Sequence, residues 1–233
     1  MIEAEWWEYD SVEELADAVA GDVGFIIESA LDARDAALIA LPGGTTPKPI
    51  YPKIAARSLA WKRVTIIPTD DRLAPMDSDL SNIRAIAQAF LPVGARVFPI
   101  ATTIDDYRLA GGAADARLQD LSWPPDLIWL GMGTDGHTAS IFAGPDLQDA
   151  LDAPKARRAV GVMPDPMPAD APVPRVTLTR ASILAARTLL ITITGADKKA
   201  LLEQAIKDGH SSHLPIGKVL AEAEQPIDIH WAA

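Results

Sequence analysis

The sequence predicts an α/β protein, a mostly parallel sheet flanked by helices, on three observations. Short apolar runs, continuous or alternating, recur along the chain and are bounded by Gly, Pro or Asp. Stretches with the 3.6-residue spacing of amphipathic helices lie between them. Several runs end in polar, glycine-bearing turns, and in open parallel sheets ligands bind outside the carboxyl ends of the strands. The place of a site follows from this pattern alone.

The elements follow in chain order. Ser11 precedes the pattern Val12, Leu15, Ala16, Val19, and Glu14 stands three residues on, so a capping box starts the first helix there. The apolar run 37–41 predicts a strand, and it ends in Pro42-Gly43-Gly44-Thr45-Thr46-Pro47, a glycine-rich loop and then a helix opened by Pro47. Val64-Thr65-Ile66-Ile67 predicts a second strand that runs into Pro68-Thr69-Asp70-Asp71-Arg72, with a helix over 82–90 after a polar loop. Residues 126–130 predict a third strand, broken by Gly131-Met132-Gly133-Thr134-Asp135-Gly136-His137 before a short helix. The β-branched run 189–194 predicts a fourth, leading through Gly195-Ala196-Asp197-Lys198 into a long helix to about Lys207. Residues 227–231 read as an edge strand. The proline-rich stretch 163–174 is too short to link domains and reads as a loop over the site.

The length of 233 residues and a hydrophobic content of 48% suit one substantial core, and one domain over 1–233 is expected. No stretch approaches the roughly 18–20 apolar residues of a membrane span, and the start, 1–10, is acidic where a signal peptide is basic and then apolar. A cytoplasmic protein with no membrane partner is predicted. The absence of cysteine removes disulfides, thiolate metal sites and a cysteine nucleophile together. Lys and Arg number 21 against 32 Asp and Glu, a formal charge of −11 with no basic cluster, which argues against a nucleic-acid partner. The same charge repels small anions at long range. Binding one therefore requires a local pocket of Arg, Lys and backbone N–H groups.

Gly43, Gly44, Thr45 and Thr46 offer what a phosphate needs: close backbone approach, N–H groups near a helix start, and hydroxyl donors. An ordinary strand-to-helix turn has the same composition, and the dinucleotide and Walker glycine patterns are both absent. His137 follows a strand and a double-glycine turn with a carboxylate, Asp135, two residues away, the setting of a general base. His210 and His213, three residues apart, have a spacing that suits zinc but lack a third ligand, so no metal site is expected. Ser140 completes a Ser-His-Asp trio in composition only; no Gly-x-Ser-x-Gly elbow is present, and a packing or hydrogen-bonding role is expected for it. Arg72, Arg175 and Lys198 adjoin the special turns, where an anion is the functional reading and a surface ion pair the ordinary one. Asp70 and Asp71 are the nearest partners for Arg72, and spacing does not decide between these readings.

Together these segments resemble the 6-phosphogluconolactonase family. Residues 41–47 resemble its Gly-Gly-Ser-Thr-Pro loop, Asp70-Asp71-Arg72 with Ser81-Asn82 resembles its Asp-Glu-Arg and Ser-Asn elements, and residues 130–142 are similar to its characteristic sequence almost throughout. Pro174-Arg175-Val176-Thr177-Leu178-Thr179 and Thr194-Gly195-Ala196-Asp197-Lys198 complete the series in order. The departures are Thr45 for serine, Asp71 for glutamate, and Ala143 where a proline commonly follows the phenylalanine, the last expected to affect only the helix after the site. Glucosamine-6-phosphate deaminases share the fold but carry an acidic residue after the histidine segment and a tyrosine where Arg72 stands here. A phosphosugar-binding module without turnover is the other alternative, and it would dispense with His137.

The resemblance implies a single-domain, Rossmann-like α/β fold and a metal-independent hydrolase of the pentose phosphate pathway, without organic cofactor, that opens a phosphosugar lactone as a monomer or small homo-oligomer. It implies phosphate on Gly43, Gly44, Thr45 and Thr46 with charge from Arg175 and Lys198, and Asp70 in the substrate pocket. His137 is then the general base, Asp135 its orienting partner, and Arg72 a stabiliser of the oxyanion or of the sugar acid.

Overall fold

The longest helix begins and ends on side-chain and backbone chemistry that is easily traced. In a computed structural model describing residues 2–101 and 105–233, helix α1 (Val12–Arg34) starts at Ser11, whose Oγ accepts from Glu14 N at 3.2 Å. Glu14 reaches back to accept from Asp10 N at 3.3 Å, one residue earlier than a strict capping box. The helix stops at Asp35, which turns left-handed (φ 60°) and donates its N–H to Leu31 O. The acidic start read over 1–10 includes Met1, which lies outside the described residues.

The strands are β1 (Ala4–Tyr9), β2 (Ala37–Leu41), β3 (Val64–Pro68), β4 (Asp70–Arg72), β5 (Arg96–Val97), β6 (Leu127–Leu130), β7 (Ala159–Val162), β8 (Arg175–Leu178), β9 (Thr188–Thr194) and β10 (Ile227–Ala232). After α1 the helices are α2 (Tyr51–Ala55), α3 (Asn82–Phe90), α4 (Tyr107–Leu118), α5 (Leu147–Leu151), α6 (Arg180–Leu184), α7 (Ala196–Asp208) and α8 (Pro215–Leu220). Among the described residues, seven strands form one parallel sheet in the order β1-β10-β9-β6-β2-β3-β5, and β4-β8-β7 form a smaller antiparallel sheet.

Alternation along each central strand divides the core into two layers. Leu38 and Ala40 of β2, Ile128 and Leu130 of β6, and Leu189 and Ile191 of β9 enter one layer. Ile39 and Leu41, Leu127 and Trp129, and Leu190 enter the other, against α1 residues Leu15, Val19, Val23 and Ile27. Burial on both faces explains why these strands read as continuous apolar runs. Trp129, wholly buried, satisfies its indole by donating to Thr192 Oγ1 at 2.9 Å across the β6–β9 pair.

Four expectations need correction. Residues 227–231 do not form an edge: β10 lies between β9 and β1, and the edge on that side is β1, whose Glu5 and Glu8 make the charged border that discourages further strand pairing. Pro47 opens a turn, since Pro52 has no N–H with which to continue the ladder after Tyr51 N bonds Pro47 O at 3.2 Å; regular helix begins at Tyr51. The segment after His137 is a turn closed by a Thr138–Ile141 bridge, with Ala139 left-handed (φ 49°), and helix resumes only at α5. Ala143 accordingly precedes a loop and has no adjoining helix to affect. The small antiparallel sheet was not anticipated at all.

Candidate active site

The carboxyl ends of β2, β3, β6 and β9 open into a cavity of about 300 Å³. Gly43, Gly44, Thr45, Thr46, Asp70, Arg72, His137, Arg175 and Lys198 all line it, while Asp135 stands behind His137. Asn82, Met132, Gly133, Asp170 and Thr192 line it too and were not singled out from sequence as site residues. Asp170 comes from the 163–174 loop, which does border the site.

The glycine-rich loop is held by its neighbours. A Cβ on Gly43 would fall 2.0 Å from Asn82 Oδ1, so only glycine lets the loop close over that amide, which itself donates to Asp70 O at 2.9 Å. Tyr51, fully buried, donates its hydroxyl to Pro42 O and pins the start of the loop. Gly44 and Thr45 are exposed, whereas Gly43 and Thr46 are half-buried.

The cations are unusual in what they lack. Arg175 is 3% exposed, and its Nη2 donates to Ala171 O at 3.2 Å while its Nε has no partner among the described residues. Arg72 donates through Nη1 to Leu80 O at 2.7 Å, and its buried Nε likewise has no partner among the described residues. An orphaned buried donor costs about 1–3 kcal/mol, so two at one cavity point to an anion that satisfies them. Burial, together with the like charge of Arg72, pulls the Arg175 pKa below its ordinary value against the opposing pull of Asp70, Asp170 and Asp135. Lys198, half-buried, donates to Met132 O at 2.7 Å; burial lowers its pKa, and Asp135 works the other way.

His137 is fixed from three sides. Its Nδ1 lies 2.5 Å from Asp135 Oδ1, the same oxygen that accepts from His137 N at 3.1 Å. Its ring rests on Gly133, where a Cβ would come within 2.3 Å of Cε1 and Nδ1. Its face stacks on Phe142, ring centroids 4.2 Å apart and 26° from parallel. The hydrogen bond from His137 is the first cause of an Asp135 pKa below the usual carboxylate range, with burial opposing it. A carboxylate at Nδ1 calls for the proton on that nitrogen, which leaves Nε2 of the neutral ring as the base.

The neighbouring polar residues have structural tasks. Ser140 is fully buried and donates Oγ to Asp70 Oδ2 at 2.6 Å, while its N–H donates to Thr177 Oγ1 at 3.2 Å, so it bonds away from His137 and forms no catalytic trio. Asp71 does not pair with the Arg72 guanidinium. It accepts the backbone N–H groups of Asn82 (2.7 Å), Arg72 (2.9 Å) and Ile83 (3.2 Å), and so caps α3 from a distant strand. Burial nevertheless pushes its carboxyl up to about 6. His210 and His213 are exposed, and among the described residues no group of three or more His, Asp or Glu side chains gathers as for a metal ion.

Residues 10–231 match the family described as glucosamine-6-phosphate isomerases/6-phosphogluconolactonase. A 6-phosphogluconolactonase of Rhizobium meliloti (strain 1021) is 36% identical over 228 residues, which is 96% of this chain and 97% of the relative. One from Mesorhizobium japonicum is 35% identical, over 97% of this chain and 94% of its own. Among solved structures, a 6-phosphogluconolactonase from Shewanella baltica OS155 superposes with a TM-score of 0.90 at 29% identity over 100% of both chains. The Trypanosoma brucei 6-phosphogluconolactonase superposes at 0.85 with 26% identity, over 100% of this chain and 97% of that one. The chain belongs to the glucosamine-6-phosphate isomerase/6-phosphogluconolactonase family.

Proposed function

We propose that this chain hydrolyses 6-phospho-D-glucono-1,5-lactone to 6-phosphogluconate, the lactone-opening step of the oxidative pentose phosphate pathway. The observation that carries the reading is one cavity shared by a His–carboxylate pair and two guanidinium groups whose buried Nε atoms find no partner among the described residues. The substrate phosphate rests on Gly43, Gly44, Thr45 and Thr46, with Arg175 and Lys198 supplying charge. Asp70 faces the sugar from the cavity wall.

With the phosphate anchored, the lactone carbonyl is presented to His137. Nε2 takes a proton from water as the water oxygen attacks the carbonyl carbon. The tetrahedral intermediate then expels the ring oxygen, which recovers that proton from Nε2, so one imidazole serves both halves. Asp135 holds the ring and stabilises its charged form, and Arg72 steadies the oxygen on which charge develops. A positioned general base is worth about 10²–10⁴-fold. Sugar lactones open unaided at neutral pH, and that factor with orientation suffices.

The deaminase reading of the same family finds less support. Residues 138–142 supply Thr138, Ala139, Ser140, Ile141 and Phe142, with no carboxylate after the histidine, and Arg72 lines the cavity. The two core layers on one continuous sheet support reading 1–233 as one domain, and the cysteine-free, acidic composition supports a cytoplasmic enzyme, either a monomer or a small homo-oligomer. The test is acid release from fresh 6-phosphogluconolactone above the spontaneous rate. Ammonia release from glucosamine 6-phosphate without lactone opening would replace this function with the other.

A further inference from the structure

Phe142 is the first large side chain after the Thr138–Ile141 bridge, half-buried beside the cavity without lining it. Its ring touches two groups with different tasks. One is the His137 imidazole, stacked at 4.2 Å. The other is the Arg175 guanidinium, whose Cζ lies 5.0 Å from the Phe142 centroid. These groups come from unrelated parts of the fold, one from the loop after β6 and the other from β8 in the small sheet.

Each has few other supports. Asp135 holds one edge of the imidazole and Gly133 clears room for it, and the Phe142 face packs against the ring and resists its tilting off that hydrogen bond. Among the described residues the Arg175 side chain has one hydrogen bond, through Nη2 to Ala171 O, and its Nε has no partner. An aromatic face is a stabilising neighbour for a cation that lacks an ion pair. The same face suits the imidazolium that exists between the two proton transfers.

We propose that Phe142 is a positioning residue that sets the plane of His137 and the place of Arg175 together, so that phosphate binding and general-base catalysis share one support. The inference rests on the lactonase reading of the site. It gives the family-typical segment Ser140-Ile141-Phe142 two distinct tasks, Ser140 tying the turn to Asp70 and Phe142 aligning the chemistry.

The experiment compares Phe142→Leu and Phe142→Tyr with the parent on 6-phosphogluconolactone and on unphosphorylated gluconolactone, with unfolding midpoints as a folding control. For Phe142→Leu, kcat should fall about 3- to 30-fold on both lactones, while KM rises severalfold on the phosphorylated lactone alone. Phe142→Tyr, which keeps the ring, should restore both constants to near the parent values. A loss of folded enzyme would lower kcat on both substrates and leave both KM values in place, so that outcome, or an unchanged kcat, overturns the proposal. Should Phe142→Leu fail to fold, the His137 ring resonances in parent and Phe142→Tyr decide, since a stacked ring shifts them upfield and an unshifted parent spectrum sinks the idea. A parent that opens no lactone would refute the function itself, and the ring resonances would still report whether the stack exists.

Discussion

Arg72 and Arg175 stand directly opposite each other across the β4–β8 pair, and neither makes an ion pair with a described residue. Like charges opposite one another on a strand pair are destabilising, and burial of one of them adds to the cost. The arrangement makes sense as a preformed seat for anionic charge, the phosphate at Arg175 and the developing oxyanion at Arg72, stability being given up for binding.

Inorganic phosphate should therefore stabilise the parent by about 2.7 kcal/mol at a hundred times its Kd, and so raise its unfolding midpoint. Arg175→Met, which roughly keeps the volume, should abolish that rise and increase KM for the phosphorylated lactone about 10- to 150-fold, the worth of a charge-assisted hydrogen bond of about 1.5–3 kcal/mol. Lys198→Met should act in the same direction. Melting curves with and without phosphate check this; an equal phosphate response in parent and Arg175→Met would show that Arg175 does not read the anion.

His137→Asn keeps a polar group near Asp135 but cannot relay a proton. Its kcat should fall about 10²–10⁴-fold, with binding of 6-phosphogluconate nearly kept. Asp135→Asn should cost less, because the base survives without its orienting charge. The hydrogen bond from His137 holds the Asp135 pKa below the usual carboxylate range, so the orienting carboxylate stays ionised well below neutrality. Rates corrected for spontaneous opening, with product affinity by calorimetry, separate these roles. A His137→Asn enzyme with most of its kcat would end the mechanism.

Exhaustive dialysis against a chelator should leave activity intact, since among the described residues no three His, Asp or Glu side chains converge. Activity lost and regained only with added zinc or manganese would contradict the metal-independent reading.

The parts of this site that were legible in the sequence are those attached to fully buried strands. β2, β3, β6 and β9 announce themselves by apolar runs, and the segments that follow them carry Gly43, Asp70, His137 and Lys198 into one cavity. Illegible parts depend on partners distant in sequence. β4 is Asp70-Asp71-Arg72, three polar residues with no apolar period, and only its pairing with β8 makes it a strand. The capping task of Asp71 requires α3 to dock 11 residues later, and the stacking of Phe142 requires a turn where the local pattern suggested helix. β1 was hidden by its glutamates, which made β10 look like an edge.

Two buried groups set opposite pH responses of stability over one window. His230, 1% exposed and bonded through Nδ1 to the Tyr9 hydroxyl at 2.9 Å, is pushed down to about 4 by burial, from an ordinary value near 6.5. Between those values the unfolded chain binds the proton and the folded one does not, so this stabilisation is complete above about 6.5 and is lost as pH falls toward 4. Asp71, raised from 3.8 to about 6, binds its proton in the folded state first, so its contribution is complete below 3.8 and is lost as pH rises toward 6. Each slope is at most about 1.4 kcal/mol per pH unit, and between pH 4 and 6 they oppose each other. Replacing either group should unmask the other. Relative to the parent, His230→Phe, which keeps an aromatic ring beside Tyr9, should become progressively less stable as pH rises from 4.5 to 6. Asp71→Asn, which retains a cap acceptor, should become progressively more stable over the same interval, beneath a constant loss of about 1–2 kcal/mol for the weakened cap. Denaturant midpoints at pH 4.5, 5.25 and 6 give the difference curves. Two curves parallel to the parent would show that neither group titrates differently in the folded and unfolded chains.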